Sequence, residues 1–447
     1  MSYKLYEWDK YSDQPAVIKN KRMKRSLYLR GMAGSLKTFV SALILPAVGI
    51  SVLLTKKTLI GSDTAEQDFG IGLCVNPDVP LPEKHPINTD DLISQVETLG
   101  VSHLLLRIPL ADIERLDEYL DLAKRLCAIE KQPSLLVNIL QDRRHIEDPD
   151  LFTKSLRKVF SSFSGLTKNF QIGNSVNRRK WSFVSLDEYF RFFSVAQKLR
   201  NWEFPNMKLI GGNIIDFELP NFARSVFHLH KIKYDACAAQ LYVDRRGAPE
   251  NKHLGCDTQR KIHWFSRMIQ LSSKTTDELW ITEVNWPLEG TEPFAPAVGD
   301  CMVNESDQSA YLTRYYLLAM ATGKVHRCYW HQLVAPGYGL IDNRGNDVRR
   351  RDAFFAFKTL ITIFADATIT NFKLQANGLY KLDAKNHRGQ VTAIWSNNQP
   401  LEGNLDTLIP YKVEQITDHL GNVQTYEKNQ RLLVSGQPLI LTDHCWE

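Results

Sequence analysis

The sequence predicts an α/β protein: a (β/α)8 TIM barrel with a small C-terminal antiparallel β domain and an N-terminal transmembrane anchor. Three observations predict it. Eight short apolar runs alternate with segments of helical period between Phe69 and Phe364. From about Thr368 that alternation gives way to β-rich runs separated by glycines. One uncharged apolar run, Thr38–Leu54, stands by itself near the N-terminus. The implied organisation is a basic tail over 1–37, an anchor over 38–55, a barrel over 66–366 and a β domain over 367–447.

The chain has 447 residues, 43% hydrophobic and 23% charged, enough for a folded barrel and a further module. Its net charge of +5 is unevenly spread. Residues 1–57 hold 11 Lys/Arg against 3 Asp/Glu, whereas the rest holds 44 against 47. The basic excess is therefore N-terminal, and the body offers no nucleic-acid surface. The run TFVSALILPAVGISVLL carries no charge and meets the lower end of the roughly 17–25 residues that span a bilayer. Pro46 would kink it, which membrane helices tolerate. Lys19, Lys21, Arg22, Lys24, Arg25, Arg30 and Lys37 crowd one flank, and only Lys56 and Lys57 follow on the other. By the positive-inside rule the tail stays cytoplasmic and the body lies on the periplasmic or extracytoplasmic side of the inner membrane. A buried core helix is the alternative reading of the same run.

The barrel elements follow in order. FGIGLCVN (Phe69–Asn76) is the first strand, and Asp90 or Asp91 caps a helix through Leu99. HLLLRIP (His103–Pro109), a helix over Arg115–Ile129 and SLLVNIL (Ser134–Leu140) come next. A helix over Phe152–Phe163 leads to NFQIGN (Asn169–Asn174), and Leu186–Leu199 to KLIGGNII (Lys208–Ile215). Phe222–His230 leads to DACAAQLYV (Asp235–Val243), and Thr258–Leu271 to ELWITEVNW (Glu278–Trp286). Gln308–Thr322 leads to RCYWHQLV (Arg327–Val334), and Ala353–Phe364 closes the series. No G-x-G-x-x-G follows any strand, which argues against a doubly wound dinucleotide fold. The tail runs GLYKLD, QVTAIWS, YKVEQIT, LLVSG and PLILT are the strands of the β domain.

In such a barrel the chemistry sits at the C-terminal ends of strands. Those ends carry Arg107, Asn138, Asn174 with Ser175, Asn213, Gln240 with Tyr242, Glu283 with Asn285 and Trp286, and Trp330 with Gln332. Each alone is a routine hydrogen-bonded residue; the set is what carries weight. Glu283 ends the apolar run LWIT, where a carboxylate must be paired or open to a cleft. Arg107 is expected to hold it ionised, Tyr242 to donate to it, and Trp286 and Trp330 to offer flat faces to a sugar ring. If Trp330 points in, His331 points away. A structural Arg–Glu pair is the alternative. The loop PGYGLIDNRGN (Pro336–Asn346) is a candidate wall of the cleft. The seven cysteines form no C-x-x-C pair; Cys74, Cys237 and Cys328 fit core positions, while Cys256 and Cys301 lie in loops on one face, open to a disulfide. His228, His230, His253 and His263 lack metal-ligand spacing, so neither metal nor cofactor is expected.

This pattern resembles the clan of retaining (β/α)8 glycoside hydrolases that includes many cellulases, mannanases and xylosidases. Arg107 in LLLRIP matches the clan's arginine after strand two, and Asn174 the asparagine after strand four. Tyr242 in AQLYVD matches its strand-six position, Glu283 in WITEVNW its nucleophile, and Trp330 in CYWHQ its strand-eight tryptophan. A β domain behind the barrel is also common there. The resemblance implies an oligo- or polysaccharide substrate, Glu283, Arg107 and Tyr242 as catalytic groups, and the remaining strand-end residues as a sugar pocket. One position departs from the pattern: strand four reads QIGNSVN, so Ser175 stands where the acid/base glutamate belongs. Retaining hydrolysis uses two carboxyl groups roughly 5–5.5 Å apart, and a serine cannot replace the acid. Three outcomes stay open. A carboxyl from Asp142, Asp216, Asp244, Glu289 or Glu292 leans in; the leaving group needs no proton; or the cleft binds glycan as a pseudo-glycosidase without turnover.

Overall fold

The computed structural model describes residues 8–15, 21–55, 69–243, 247–297, 299–397, 399–404, 409, 411–425 and 431–445. Lys19, Lys56, Lys57 and Asp244 lie outside them. The chain opens with an antiparallel hairpin of β1 (Trp8–Asp9) and β2 (Gln14–Pro15), pairing Trp8 with Pro15. Helix α1 (Lys21–Ser41) passes through a tight turn at Ala42–Ile44 into α2 (Leu45–Thr55).

The barrel begins at β3 (Gly70–Cys74), followed by α3 (Thr89–Leu99), β4 (His103–Pro109) and α4 (Leu116–Cys127). Then come β5 (Ser134–Leu140), α5 (Arg143–Glu147), α6 (Pro149–Phe163), β6 (Asn169–Ile172) and α7 (Leu186–Glu203). β7 (Lys208–Ile215), α8 (Leu219–Val226), β8 (Ala236–Gln240) and α9 (Thr258–Gln270) continue it. β9 (Leu279–Val284), α10 (Glu305–Ala321) and β10 (Arg327–Trp330) complete the ring. A ribbon of β11 (Ile341–Asp342) and β12 (Arg349–Arg350) precedes α11 (Asp352–Phe364). All eight barrel strands are parallel, and β10 pairs with β3 to close the cylinder.

The strand sequences are apolar on both faces because both faces are covered. Leu104 and Leu106 pack outward beneath the helices, while Leu105 joins Cys74, Leu136, Ile210, Ala238, Trp280 and Tyr329 in the lumen. At Gly72 a Cβ would come within 2.3 Å of the Tyr329 ring, so the lumen has room there only for glycine. Helix starts are fixed by side chains that accept from exposed backbone N–H groups. Asn88 caps α3 by accepting from Asp91 N at 2.9 Å, so Asp90 and Asp91, expected as the cap, lie in the first turn instead.

After the barrel, β13 (Thr368–Leu374), β14 (Leu379–Lys385), β15 (Gln390–Ser396), β16 (Leu401–Asn404), β17 (Gln415–Asp418), β18 (Val423–Thr425), β19 (Arg431–Val434) and β20 (Leu439–Thr442) form the β domain. Six of them make one antiparallel sheet in the order β13-β14-β15-β20-β17-β18, and β16 pairs with β19.

The apolar segment over Arg25–Leu53 is long and apolar enough to cross a membrane, and most of it is exposed, including Leu36, Phe39, Leu43, Ile50 and Leu53. Its other face lies along the barrel. Lys37 Nζ reaches Asp187 at 2.7 Å, Arg267 Nε donates to Ser51 Oγ at 2.5 Å, and Val48 is fully buried. Trp8–Pro15, within the stretch expected to be a separate tail, lies instead on the barrel mouth.

Candidate functional site at the barrel mouth

The C-terminal ends of the strands converge on a cavity of about 470 Å³, lined by Arg107, Ser175, Tyr242 and Glu283 among others. Glu283 is nearly buried at the end of β9. Its Oε2 accepts from Gln240 Nε2 at 3.0 Å, and its Oε1 accepts from the Tyr242 hydroxyl. Two donors therefore hold the carboxylate in one orientation, and charged acceptors make such bonds strong.

Gln240 links Glu283 to the opposite wall. Its carbonyl accepts from Ser175 Oγ at 2.7 Å, and its amide also donates to Asn174 Oδ1. Asn138 Nδ2 donates to the same Asn174 oxygen at 3.0 Å. Asn138, Asn174 and Gln240 thus form a buried floor beneath the cavity and do not line it. Ser175 adopts φ +45°, a conformation side chains rarely take, at the bend where the chain leaves β6.

Arg107 departs from the expectation that it serves Glu283 first. Its Nη1 donates to Asp13 Oδ2 at 2.7 Å and lies 3.4 Å from His331 Nε2. Burial alone would lower its affinity for the proton, but Asp13 and then Glu283 outweigh burial and hold it charged. The Arg107 guanidinium also lies beside the rings of Trp8 and Trp181, at 5.9 and 5.7 Å.

Three further residues expected in the sugar pocket also stand elsewhere. Trp286 and Trp330 are fully buried, pack on each other with ring centres 6.2 Å apart, and line no part of the cavity. The reason is strand parity. Tyr329 faces the lumen, so Trp330 faces the surrounding helices and His331, two residues on, faces the cavity. Burial pushes the His331 imidazole down to about 3, with Arg107 adding to the shift, so it stays neutral. Asn213 is the bulged residue where the β7–β8 register slips, at φ +51°, and it donates to Ile172 O at 2.6 Å. Its role is structural.

Among the carboxyls considered as replacement acids, Asp216 lines the cavity, but it accepts from Arg178, as does Glu218. Asp142 is tied to Arg144 at 2.8 Å, and neither it nor Glu289 nor Glu292 lines the cavity. Sequence reading missed Asp13, Arg178 and Lys180, which reach the cleft from loops and from the hairpin. Cys256 and Cys301 carry free thiols, so no disulfide joins them. Among the described residues no group of three or more His, Cys, Asp or Glu is placed to hold a metal ion.

No protein-family model and no curated protein matches the sequence. Solved structures do. A GH51 arabinofuranosidase from Xanthomonas axonopodis pv. citri superposes with TM-score 0.55 at 12% identity, over 86% of this chain and 97% of its own. A GH30 endoxylanase from Clostridium papyrosolvens C71 gives 0.54 at 11%, over 86% and 97%. A GH39 β-xylosidase from Caulobacter crescentus gives 0.51 at 11%, over 84% and 96%. The fold is that of these glycoside hydrolase barrels. The matched lengths exceed the chain up to the end of the barrel, so the likeness extends into the β domain.

Proposed function

We propose that this chain is a membrane-associated, glycoside-hydrolase-like protein that seats an oligo- or polysaccharide at the barrel mouth, with Glu283 as nucleophile and no general acid at position 175. The observation that carries the reading is the pairing of an oriented Glu283 with a Ser175 hydroxyl that donates to Gln240. Attack by Glu283 forms a bond to the anomeric carbon as the bond to the leaving oxygen breaks, and that oxygen departs with the electron pair. With no proton supplied, only a leaving group stable as an anion departs readily. Transfer of the sugar to water or to another acceptor completes an O-glycosyl hydrolase or transglycosidase cycle.

Aryl glycosides with good leaving groups test this. Wild type is expected to turn them over, and Glu283→Gln to reduce the rate by on the order of 10³-fold or more. Ser175→Glu is expected to extend activity to poor leaving groups, with gains on the order of 10²-fold. Failure of a fluorinated glycoside to label Glu283, together with no turnover of any activated glycoside, overturns the enzymatic reading. A second reading, glycan binding without turnover, is favoured by Arg107, which bonds Asp13 rather than the nucleophile. In either reading the Arg25–Leu53 helix is proposed as the membrane anchor, with a cytoplasmic N-terminus and an extracytoplasmic barrel. That topology parts Trp8–Pro15 from the barrel, so the hairpin must leave the cleft when the helix is threaded through the bilayer.

A further inference from the structure

The chain's own hairpin lies where the glycan is proposed to sit. Two cavities of about 470 Å³ each flank it, and both are lined by Asp13, Arg107 and Tyr338. The hairpin is therefore a partition across one longer trough. Its grip on the trough is polar and specific. Asp13 Oδ2 accepts from Arg107 Nη1 at 2.7 Å and from Gln332 Nε2 at 3.3 Å. Gln14 Oε1 accepts from Lys180 Nζ at 2.5 Å, and Gln14 Nε2 donates to Pro296 O at 3.2 Å. Trp8 meets Trp181 edge-on at 5.8 Å.

The hairpin thus presents a carboxylate, a neutral oxygen acceptor and a flat apolar ring to two cations. Those are the recognition groups of an acidic sugar: a carboxylate, hydroxyl oxygens and the apolar face of a pyranose ring. Without the hairpin, Arg107 and Lys180 keep no hydrogen bond to any other carboxylate among the described residues. Both are largely enclosed, and without the hairpin the carboxylate left facing both is Glu283, which is already bonded to Gln240 and Tyr242. The loss of a carboxyl at position 175 tips the same wall further towards positive charge.

We infer that the trough takes a glycan bearing carboxylate groups, a uronic-acid unit placing its carboxylate on Arg107 in the seat of Asp13 and within reach of Lys180, and that the Trp8–Pro15 hairpin is the internal competitor for that seat as long as the Arg25–Leu53 helix lies along the barrel and is not threaded through a bilayer. The inference rests on the glycan-binding reading above and specifies its substrate class.

The test titrates the full chain with a panel of oligouronides and with the same oligosaccharides after reduction of their carboxyl groups. Asp13→Asn is expected to bind an oligouronide on the order of tenfold more tightly than wild type, since the internal ion pair no longer competes. The carboxyl-reduced partner should gain much less, and Lys180→Gln should narrow the gap between the two. Asp13→Glu, which keeps the charge, should bind as wild type does. Equal gains for acidic and reduced sugars would show a plain lid and overturn the carboxylate seat. No gain for Asp13→Asn would overturn the competitor role. Failure to bind any uronide while a fluorinated neutral glycoside still labels Glu283 sinks the acidic substrate alone. Failure of both sinks the glycan reading with it.

Discussion

Two arginine–carboxylate pairs stand where the barrel meets its two appendages, and they are built differently. Arg314 on α10 forks onto Glu250, with Nε to Oε1 at 2.9 Å, and both side chains are almost wholly enclosed, at 3% and 2% exposure. Around them Arg314 also donates to Asn397 Oδ1 at 2.8 Å and Gly436 O at 3.1 Å, and Trp395 Nε1 donates to Glu250 at 2.8 Å. Trp395, Asn397 and Gly436 all belong to the β domain, so the barrel pair is tied directly to it. Arg107 meets Asp13 through one nitrogen, and Asp13 keeps 29% of its side-chain surface in solvent. It hangs on a hairpin of two two-residue strands. The same chemistry makes a fixed joint in one place and a removable plug in the other. What separates them is whether water can reach the arginine once the acid leaves.

The widest expected gap is in stability. Glu250→Gln leaves a buried guanidinium without its counter-charge and with no route to solvent, a change that costs about 3–5 kcal/mol. Denaturant unfolding is expected to show that loss, with the β domain released together with the barrel because Arg314, Trp395 and Glu250 share one network. A loss near zero would mean that the joint is not fixed in the sense argued.

Acid should weaken the fixed joint as well. His419 lies beside it, 3.0 Å from Ser309 Oγ, where burial pushes its imidazole down to about 4; Asp418 opposes the shift and Arg314 adds to it. The folded state therefore binds the proton more weakly than the unfolded chain, whose ordinary value is 6.5. Unfolding takes up a proton between about pH 4 and 6.5, so stability is full above that window and is lost as pH falls through it. His331 and His228, pushed down to about 3, and His263, to about 4, lean the same way. His419→Gln should flatten part of the slope of unfolding midpoint against pH across that window. An unchanged slope would remove His419 from the account.

The sequence was legible where a periodic pattern or a strand end carried the signal. His103–Pro109, Ser134–Leu140 and Lys208–Ile215 stand as strands with the expected bounds, since runs of branched apolar residues have one way to be covered on both faces. Arg107, Tyr242 and Glu283 were readable for the same reason, because strand ends in a barrel converge. Trp330 was misplaced because one-residue parity decides which side a side chain takes, and composition does not reveal it; Tyr329, equally apolar, took the lumen. The GGN of Gly211–Asn213 carried a bulge signal that went unread, and with it the structural place of Asn213. α8 begins at Leu219, earlier than Phe222, where Pro220 suits the first turn. Asp13 and Lys180 had no signal to read. One precedes the apolar segment and the other sits in a single 3-10 turn, Arg179–Trp181, between β6 and α7, and only the folded chain brings both to the cleft.

The smallest stability effect is the one that best tells the two joints apart. Asp13→Asn removes the acid from a half-open pair, and the freed hairpin lets water reach Arg107, which still faces Glu283. The cost should therefore stay near that of a surface pair, about 1 kcal/mol or less, several-fold below the cost at Glu250. The local change should nevertheless be large. Trp8 and Trp181 lose their edge-on contact and the flanking guanidinium, so tryptophan emission should shift while the unfolding midpoint barely moves. A stability loss as large as that of Glu250→Gln, with no change in emission, would make the hairpin a part of the fold rather than an occupant of the cleft. The plug would then be a second fixed joint, and the trough would end at Asp13.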